Sequence, residues 1–191
     1  MMNKTSDPFS SRGFGDAAPW LDFVNSELRD GYGNVTEMLD DPAWIKAFLR
    51  FWKWRQPTGA VPQKQFRSAR ALLRRLVELA AADKRIGTEH LAELNEWLKI
   101  PIYPRLEEHQ NGLQLVLCPV QSGWPMIWAN IVNSFADSLV RNEQRRLKLC
   151  QNDDCRWIFI DGTKGNVRRW CSNATCGNRE RVRRARAAQN K

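Results

Sequence analysis

The chain has 191 residues, 42% of them hydrophobic and nine of them tryptophan, so it has enough apolar material for a packed core and is not wholly disordered. This length suits one compact domain with an appendage or two small domains. No apolar run approaches the roughly 20 residues of a bilayer span. Residues 1–15 are polar and predict a flexible leader without a signal segment, which favours a cytoplasmic protein with no membrane association.

The positive charge is concentrated at one end of the chain. Residues 141–191 hold 14 of the 30 Lys and Arg side chains but only 5 of the 21 Asp and Glu side chains, which accounts for the whole net charge of +9. The other 140 residues are balanced, with 16 charges of each sign. This distribution predicts a polyanion-binding appendage on a neutral body.

Apolar residues at helical spacing predict a mainly α-helical body over residues 16–146. The segment Pro19–Ser26 is compatible with either a short strand or the first turn of a helix. Asp41 and Pro42 form a helix start, with Asp as the cap and Pro at the first helical position. The apolar stripes predict helices over 42–56, 62–86, 88–98 and 125–149, and one small β-hairpin over 102–117.

Four cysteines form two pairs with equal spacing in the basic region. Cys150 and Cys155 are separated by four residues, and Cys171 and Cys176 repeat that gap after fifteen intervening residues. Four thiolates arranged in this way complete a tetrahedron around Zn²⁺. The alternatives are ordinary thiols or two disulfides, and disulfides are disfavoured in a chain without an export signal. The spacing predicts one structural Zn²⁺ per chain, with no open position for catalysis.

The residues around the cysteines predict a small zinc finger over 147–191. A strand over 156–160, a turn over 161–166 and a return over 167–170 place a hairpin between the two pairs. A helix begins after Cys176, where the positive end of its dipole favours the thiolate. This order indicates a treble-clef or ribbon-like finger with a basic C-terminal helix.

These motifs resemble the CGNR zinc finger, through Cys155–Asp161, Arg168–Ser172 and the run Cys176-Gly177-Asn178-Arg179. In that family the finger follows a helical ABATE domain, in bacterial proteins described as stress-induced transcription regulators. The segments Leu21–Ser26, Asp41–Trp44 and Leu94–Leu98 resemble ABATE motifs, while Thr163 stands where the family usually has Ser. The resemblance implies DNA binding by the finger and ligand sensing by the body.

The helix after Cys176 carries five arginines and a single acidic residue, Glu180. Basic helix faces of this kind contact base edges in the major groove and phosphates beside it, whereas the alternative interpretation is a solvated charged face. Arg168 and Arg169 either contact phosphate or offset the charge of the cluster, and Asn178 either caps the helix or contacts a base. The candidate DNA-binding residues are Arg168, Arg169, Asn178, Arg179, Arg181, Arg183, Arg184 and Arg186.

Two polar residues stand in an apolar segment of the body. Asp22 and Asn25 predict either local turns and caps or the anchor of an effector pocket walled by tryptophans such as Trp44. Catalysis has no support, because neither His90 nor His109 lies near a nucleophile motif or a phosphate loop.

The sequence therefore predicts a bacterial, nucleoid-associated transcription regulator. Its finger contacts duplex DNA, and its body senses a small-molecule effector or forms a homodimer. The alternative is an RNA-binding or protein-interaction module in which zinc serves only the fold. The neutral charge balance of the body also predicts that it folds without the finger.

Overall fold

The computed structural model describes residues 18–82, 84–109, 112–141 and 143–189, so the predicted leader lies outside the described residues. Within these ranges the chain forms helices and three two-stranded antiparallel sheets. The elements are α1 (Pro19–Val24), β1 (Glu27–Arg29), β2 (Val35–Glu37), α2 (Pro42–Phe51), α3 (Gln63–Ala81), α4 (Thr88–Trp97), β3 (Ile102–His109), β4 (Gly112–Pro119), α5 (Trp124–Val140), β5 (Leu147–Leu149), β6 (Ile158–Ile160) and α6 (Asn178–Gln189). No helix in the described ranges is both long and apolar enough to cross a membrane.

The ambiguous segment after Ala18 is a helix, α1, and it lies at the centre of the body. Trp20 is fully buried, packs edge-on against Phe135 of α5 with ring centroids 5.0 Å apart, and donates its indole N–H to Ser138 at 2.9 Å. Phe23 makes a similar edge contact with Phe66 of α3 at 5.8 Å. The short helix is thus held by burial between α3 and α5, because six residues are too few for a stable isolated helix.

The predicted helix starts are more accurate than the predicted helix ends. Asp41 accepts a hydrogen bond from the Ala43 N–H at 2.8 Å, and Pro42 is the first residue of α2, as the capping pattern indicates. However, α3 ends at Ala81 and α5 at Val140, both earlier than the apolar spacing predicts. Leu147 and Leu149 continue the apolar spacing beyond the true end of α5, but they belong to strand β5 and not to the helix.

The expectation of a single hairpin in the body is wrong. The predicted hairpin is present as β3 and β4, with Ile102 opposite Pro119, but β1 and β2 form a second one around the turn at residues 30–34. A three-residue strand is too short to show an alternating pattern in the sequence.

The strand pairing within the finger also differs from the prediction. Strand β6 pairs with β5, so that Leu147 lies opposite Ile160 and Leu149 opposite Ile158. The segment 167–170 is not a strand and contributes one backbone bond, from the Gln151 N–H to the Arg169 carbonyl at 3.0 Å. The hairpin therefore encloses the first cysteine pair instead of separating the two pairs.

The finger and the body share one hydrophobic core. Leu147 and Ile158 are buried in the same cluster as Trp20 and Phe135. The Asn25 side chain accepts from the Ile158 N–H and donates to the Ile158 carbonyl, both at 2.9 Å. The packing is therefore continuous across residue 146, and residues 16–146 alone would lack part of their core.

Candidate metal centre and nucleic-acid interface

The four cysteines predicted as zinc ligands come together at one point. The Sγ atoms of Cys150, Cys155, Cys171 and Cys176 all lie within 4.8 Å of one another. Sγ of Cys171 is 3.8 Å from that of Cys155 and 3.7 Å from that of Cys176. Zn–S bonds of about 2.3 Å in a tetrahedron require S···S edges of about 3.8 Å, so these distances fit zinc. They are far longer than a disulfide bond, and all four cysteines are free thiols.

The first cysteine pair is held by a tight turn between β5 and β6. Asn152, which is only 4% exposed, accepts backbone N–H bonds from Cys155 and Arg156 on its carbonyl and from Asp154 on its side chain. The Cys150 N–H bonds to the Trp157 carbonyl at 2.8 Å and closes the turn. Both thiols therefore point from one rigid loop, which is the geometry that a structural metal site needs.

The second cysteine pair lies where the chain enters α6. Ser172 caps the turn Asn173–Gly177 by accepting the Thr175 N–H on its hydroxyl at 3.3 Å. Gly177 is required here, because a Cβ at this position would lie 2.9 Å from Cδ1 of Trp170. The Cys-Gly pair thus allows Trp170 to cover the second turn.

The four thiols lie so close together that all of them can be deprotonated only when a cation offsets the repulsion between the thiolates. The hydrogen bond with Cys155 raises the pKa of Cys150 to about 11. Interactions with Cys150 and Cys155, together with burial, raise the pKa of Cys171 as well. Four thiolates need a divalent ion to offset their repulsion, so the residues present fit a bound metal and Zn²⁺ in particular.

Asp161 organises the loop that follows β6. Its side chain is fully buried and accepts bonds from Thr163, from the Arg168 N–H at 2.7 Å and from Lys148 Nζ at 3.1 Å. Burial by itself would raise the pKa of Asp161, but these hydrogen bonds hold it well below its usual range. Thr163 supplies the hydroxyl that the usual serine would supply.

Arg168 and Arg169 are both engaged within the finger. Arg168 donates to the Cys171 carbonyl at 2.6 Å and lies over the Phe159 ring, while Arg169 donates to Gln151 at 2.6 Å. Both also line a concave surface of about 700 Å³ between the end of α3 and the finger. Among the described residues that line it, five are cationic and one, Glu78, is acidic; the cations are Arg145, Lys148, Arg156, Arg168 and Arg169.

Arg179, predicted to contact DNA, joins α6 to the body. Its guanidinium donates to the Asp30 carbonyl at 2.7 Å and lies 4.1 Å from the centroid of the Tyr32 ring. Gly31 adopts a φ of +81°, and a Cβ on it would lie 2.0 Å from the Arg179 guanidinium. The turn at residues 30–34 is thus shaped to receive this arginine.

The two faces of α6 have different environments. Arg183 pairs with the buried Glu180 at 2.8 Å, and Arg183 and Arg186 line a cleft of about 520 Å³ with Tyr32 and Asn152. Arg181 and Arg184 lie on the opposite face and are exposed, with no acidic partner in the described part of the chain. Asn178 is the first residue of α6 and is exposed.

The residues predicted to anchor an effector pocket each have partners within the protein. Asp22 accepts the Trp52 indole N–H at 3.0 Å, Asn25 holds the Ile158 backbone, and the buried Trp44 stacks on Phe48 at 5.1 Å. The contacts of Asp22 and Asn25 reach across 30 and 133 positions, so they are not the local turns or caps of the alternative prediction either.

Three features of the site were not predicted from the sequence, namely the turn at Asn152 and the roles of Tyr32 and Gly31. The Asn152 turn was signalled by the Asn-Asp-Asp run, which favours side-chain-to-backbone turns. The roles of Tyr32 and Gly31 depend on Arg179, and no local pattern signals a contact across 149 positions.

Comparison with known proteins confirms the resemblance seen in the motifs. A family model named ABATE, described as "Putative stress-induced transcription regulator", matches residues 17–141. The model of the CGNR zinc finger matches residues 146–189. No curated protein gives a match. The chain therefore belongs to the ABATE family and carries a CGNR zinc finger at its C-terminal end.

Proposed function

We propose that this protein is a zinc-dependent transcription regulator that contacts duplex DNA through the open face of α6. The observation that carries the proposal is the asymmetry of this helix. One face is held to the body by Arg179, and the other presents Arg181 and Arg184 to solvent, without an acidic partner among the described residues. Two free guanidinium groups on a fixed helix suit phosphate contact or bidentate contact to guanine.

Zinc has a structural role in this proposal. One Zn²⁺ per chain on the four cysteines fixes the first turn of α6, because Cys176 lies in the turn that continues into it. A second cationic surface, with Arg145 and Arg169, lies on the same C-terminal quarter of the chain and extends the region that phosphates can contact. Four thiolates would leave no open coordination position, so we propose that this zinc is not catalytic and that the protein acts by binding and not as an enzyme. A regulator of this kind acts on the nucleoid in the bacterial cytoplasm.

The proposal is tested by the affinity for a labelled genomic duplex, measured by fluorescence anisotropy over a range of salt concentrations. The double variant Arg181→Ala/Arg184→Ala should bind about 30-fold or more weakly, because two lost contacts at roughly 1 kcal/mol each amount to about 2 kcal/mol. Each lost phosphate contact should reduce the log–log salt slope by about 0.9.

A matched control removes the same charge from the body. Arg50 and Lys64 are exposed on α2 and α3, and Arg50→Ala/Lys64→Ala should leave the duplex affinity nearly unchanged. Equal losses of duplex affinity in both double variants would show that binding depends on net charge alone, and this result would contradict the proposal. Tighter binding to single-stranded RNA than to duplex DNA would favour the RNA-binding alternative.

For the body we propose pairing with a second copy through the hairpin β3–β4. One face of this hairpin carries four exposed leucines, with Glu108 at its tip opposite Leu113: Leu106 is 64%, Leu113 73%, Leu115 66% and Leu117 49% exposed. The pairs Leu106–Leu115 and Pro104–Leu117 place these side chains on the same face. Covering this face on two copies removes on the order of 1,000 Å² from water, the lower limit for a specific interface.

A further inference from the structure

The concave surface between the end of α3 and the finger carries positive charge that its own acidic residues do not compensate. Two of its cations are compensated, because Lys148 contacts the buried Asp161 carboxylate and Arg156 pairs with Glu78. The other cations of this surface have no carboxylate partner among the described residues; they are Arg145, Arg168 and Arg169. These guanidinium groups favour a ligand with several negative charges.

All of these guanidinium groups are open to the concave surface, and two of them are held in place. Arg145 and Arg169 are exposed, and Arg168 is half-buried. Arg168 donates to the Cys171 carbonyl and Arg169 to the Gln151 side chain, both at 2.6 Å. These acceptors are neutral, so the bonds fix the guanidinium groups without cancelling their charge. Each guanidinium keeps further N–H donors, and phosphate oxygens suit their planar arrangement.

Beside the cations the surface has an apolar wall. Residues 80–82 form it at the end of α3, together with Leu149 and Val167, and each of these residues is at least partly exposed. Glu78 and the C-terminal end of α3 lie on the same side as residues 80–82, and the negative charge of both disfavours phosphate. Phosphate groups therefore belong at the arginines, and an apolar part of the same ligand fits against residues 80–82.

The size of the surface and its two kinds of wall favour a free molecule over a DNA strand. The volume of about 700 Å³ lies within the range for small-molecule sites. A duplex stacks the flat faces of its bases inside and presents sugars and phosphates outside, so its backbone has no ring to place against the apolar wall. A molecule that combines several phosphates with a free aromatic ring uses both walls.

We propose that this concave surface is the effector site of the regulator and binds a nucleoside di- or triphosphate. The effector role rests on the proposed function, in which Arg145 and Arg169 also contact DNA phosphates. A nucleotide bound at these arginines therefore competes with the duplex.

The experiment measures the binding of ATP, pyrophosphate and adenosine to the full zinc-loaded chain by isothermal titration calorimetry in magnesium-free buffer. Pyrophosphate lacks the ring, and adenosine lacks the phosphates. ATP should bind at least about 10-fold more tightly than either, because it alone contacts both the arginines and the apolar wall.

Matched variants assign ATP binding to this surface. Arg145→Gln/Arg169→Gln removes two of the uncompensated charges and should weaken ATP binding at least about 10-fold. Arg50→Gln/Lys64→Gln removes the same charge from exposed positions of α2 and α3 and should bind ATP as the wild type does. Because the Arg145 side chain is exposed, Arg145→Gln alone covers the case in which the double variant does not hold zinc, and it should weaken ATP binding at least about 3-fold.

ATP that binds no more tightly than pyrophosphate or adenosine, or equal losses in the two double variants, would overturn the proposal. Duplex affinity that saturating ATP leaves unchanged would overturn the effector role. If the duplex binds and ATP does not, the surface contacts only the DNA backbone, and the nucleotide site alone is wrong. If ATP binds and the duplex does not, the nucleotide site stands, and the proposed function is wrong.

Discussion

At the scale of single residues, a few side chains join the finger to the body. Asn25 satisfies both backbone groups of Ile158 from the end of α1, and Arg179 reaches the Asp30 carbonyl from the start of α6. The four cysteines were predictable because their spacing is local and repeated. Asn25 and Arg179 were not, because their partners lie 133 and 149 positions away in the chain.

The contribution of Asn25 is measurable by replacement. Asn25→Ala removes both hydrogen bonds and leaves a buried N–H and a buried carbonyl of Ile158 unpaired, so the free energy of unfolding should fall by about 2–3 kcal/mol. Urea unfolding followed by tryptophan fluorescence measures this difference. Asn95→Ala, at an exposed position of α4, serves as the control and should change the free energy by less than about 0.5 kcal/mol. Similar losses in the two variants would show that Asn25 does not join the two regions.

At the scale of elements, the segments with strong local sequence patterns were predicted correctly, whereas the three-residue strands were not. The Asp41–Pro42 start of α2 and the β3–β4 hairpin follow from capping and alternation within a few residues. Strands β1, β2, β5 and β6 have three residues each, and tertiary packing decides their conformation. Burial of Leu147 against the body explains why the end of the predicted long helix is a strand.

The hairpin β3–β4 is the element through which we expect two copies of the chain to pair. Leu113→Glu/Leu115→Glu places charges on the apolar face, and it should convert the dimer to a monomer in sedimentation equilibrium. Gln114→Glu adds a charge to the opposite face of the same hairpin, beside Glu107, and should remain a dimer. A monomeric wild type at tens of micromolar, or a dimeric double variant, would contradict pairing through this face.

At the scale of the whole molecule, the net positive charge and the cysteine cluster lie at one end of a chain whose first 140 residues are balanced in charge. The net charge of +9 lies beyond residue 140, where the four cysteines bring the two turns and α6 together. The shared core and the Arg179 contact fix this basic end relative to the body. The whole arrangement therefore depends on the cysteine cluster, since Cys176 sets where α6 begins.

The most direct test of the account is the duplex affinity of the full chain as bound metal is removed with a chelator and restored with Zn²⁺. The protein should hold one zinc per chain, lose duplex binding in proportion to the zinc released, and recover duplex binding when Zn²⁺ is added back. Because metal binding and folding of the finger are coupled, Cys155→Ser should retain little zinc and bind duplex DNA weakly. Undiminished duplex binding by the metal-free chain would contradict the account.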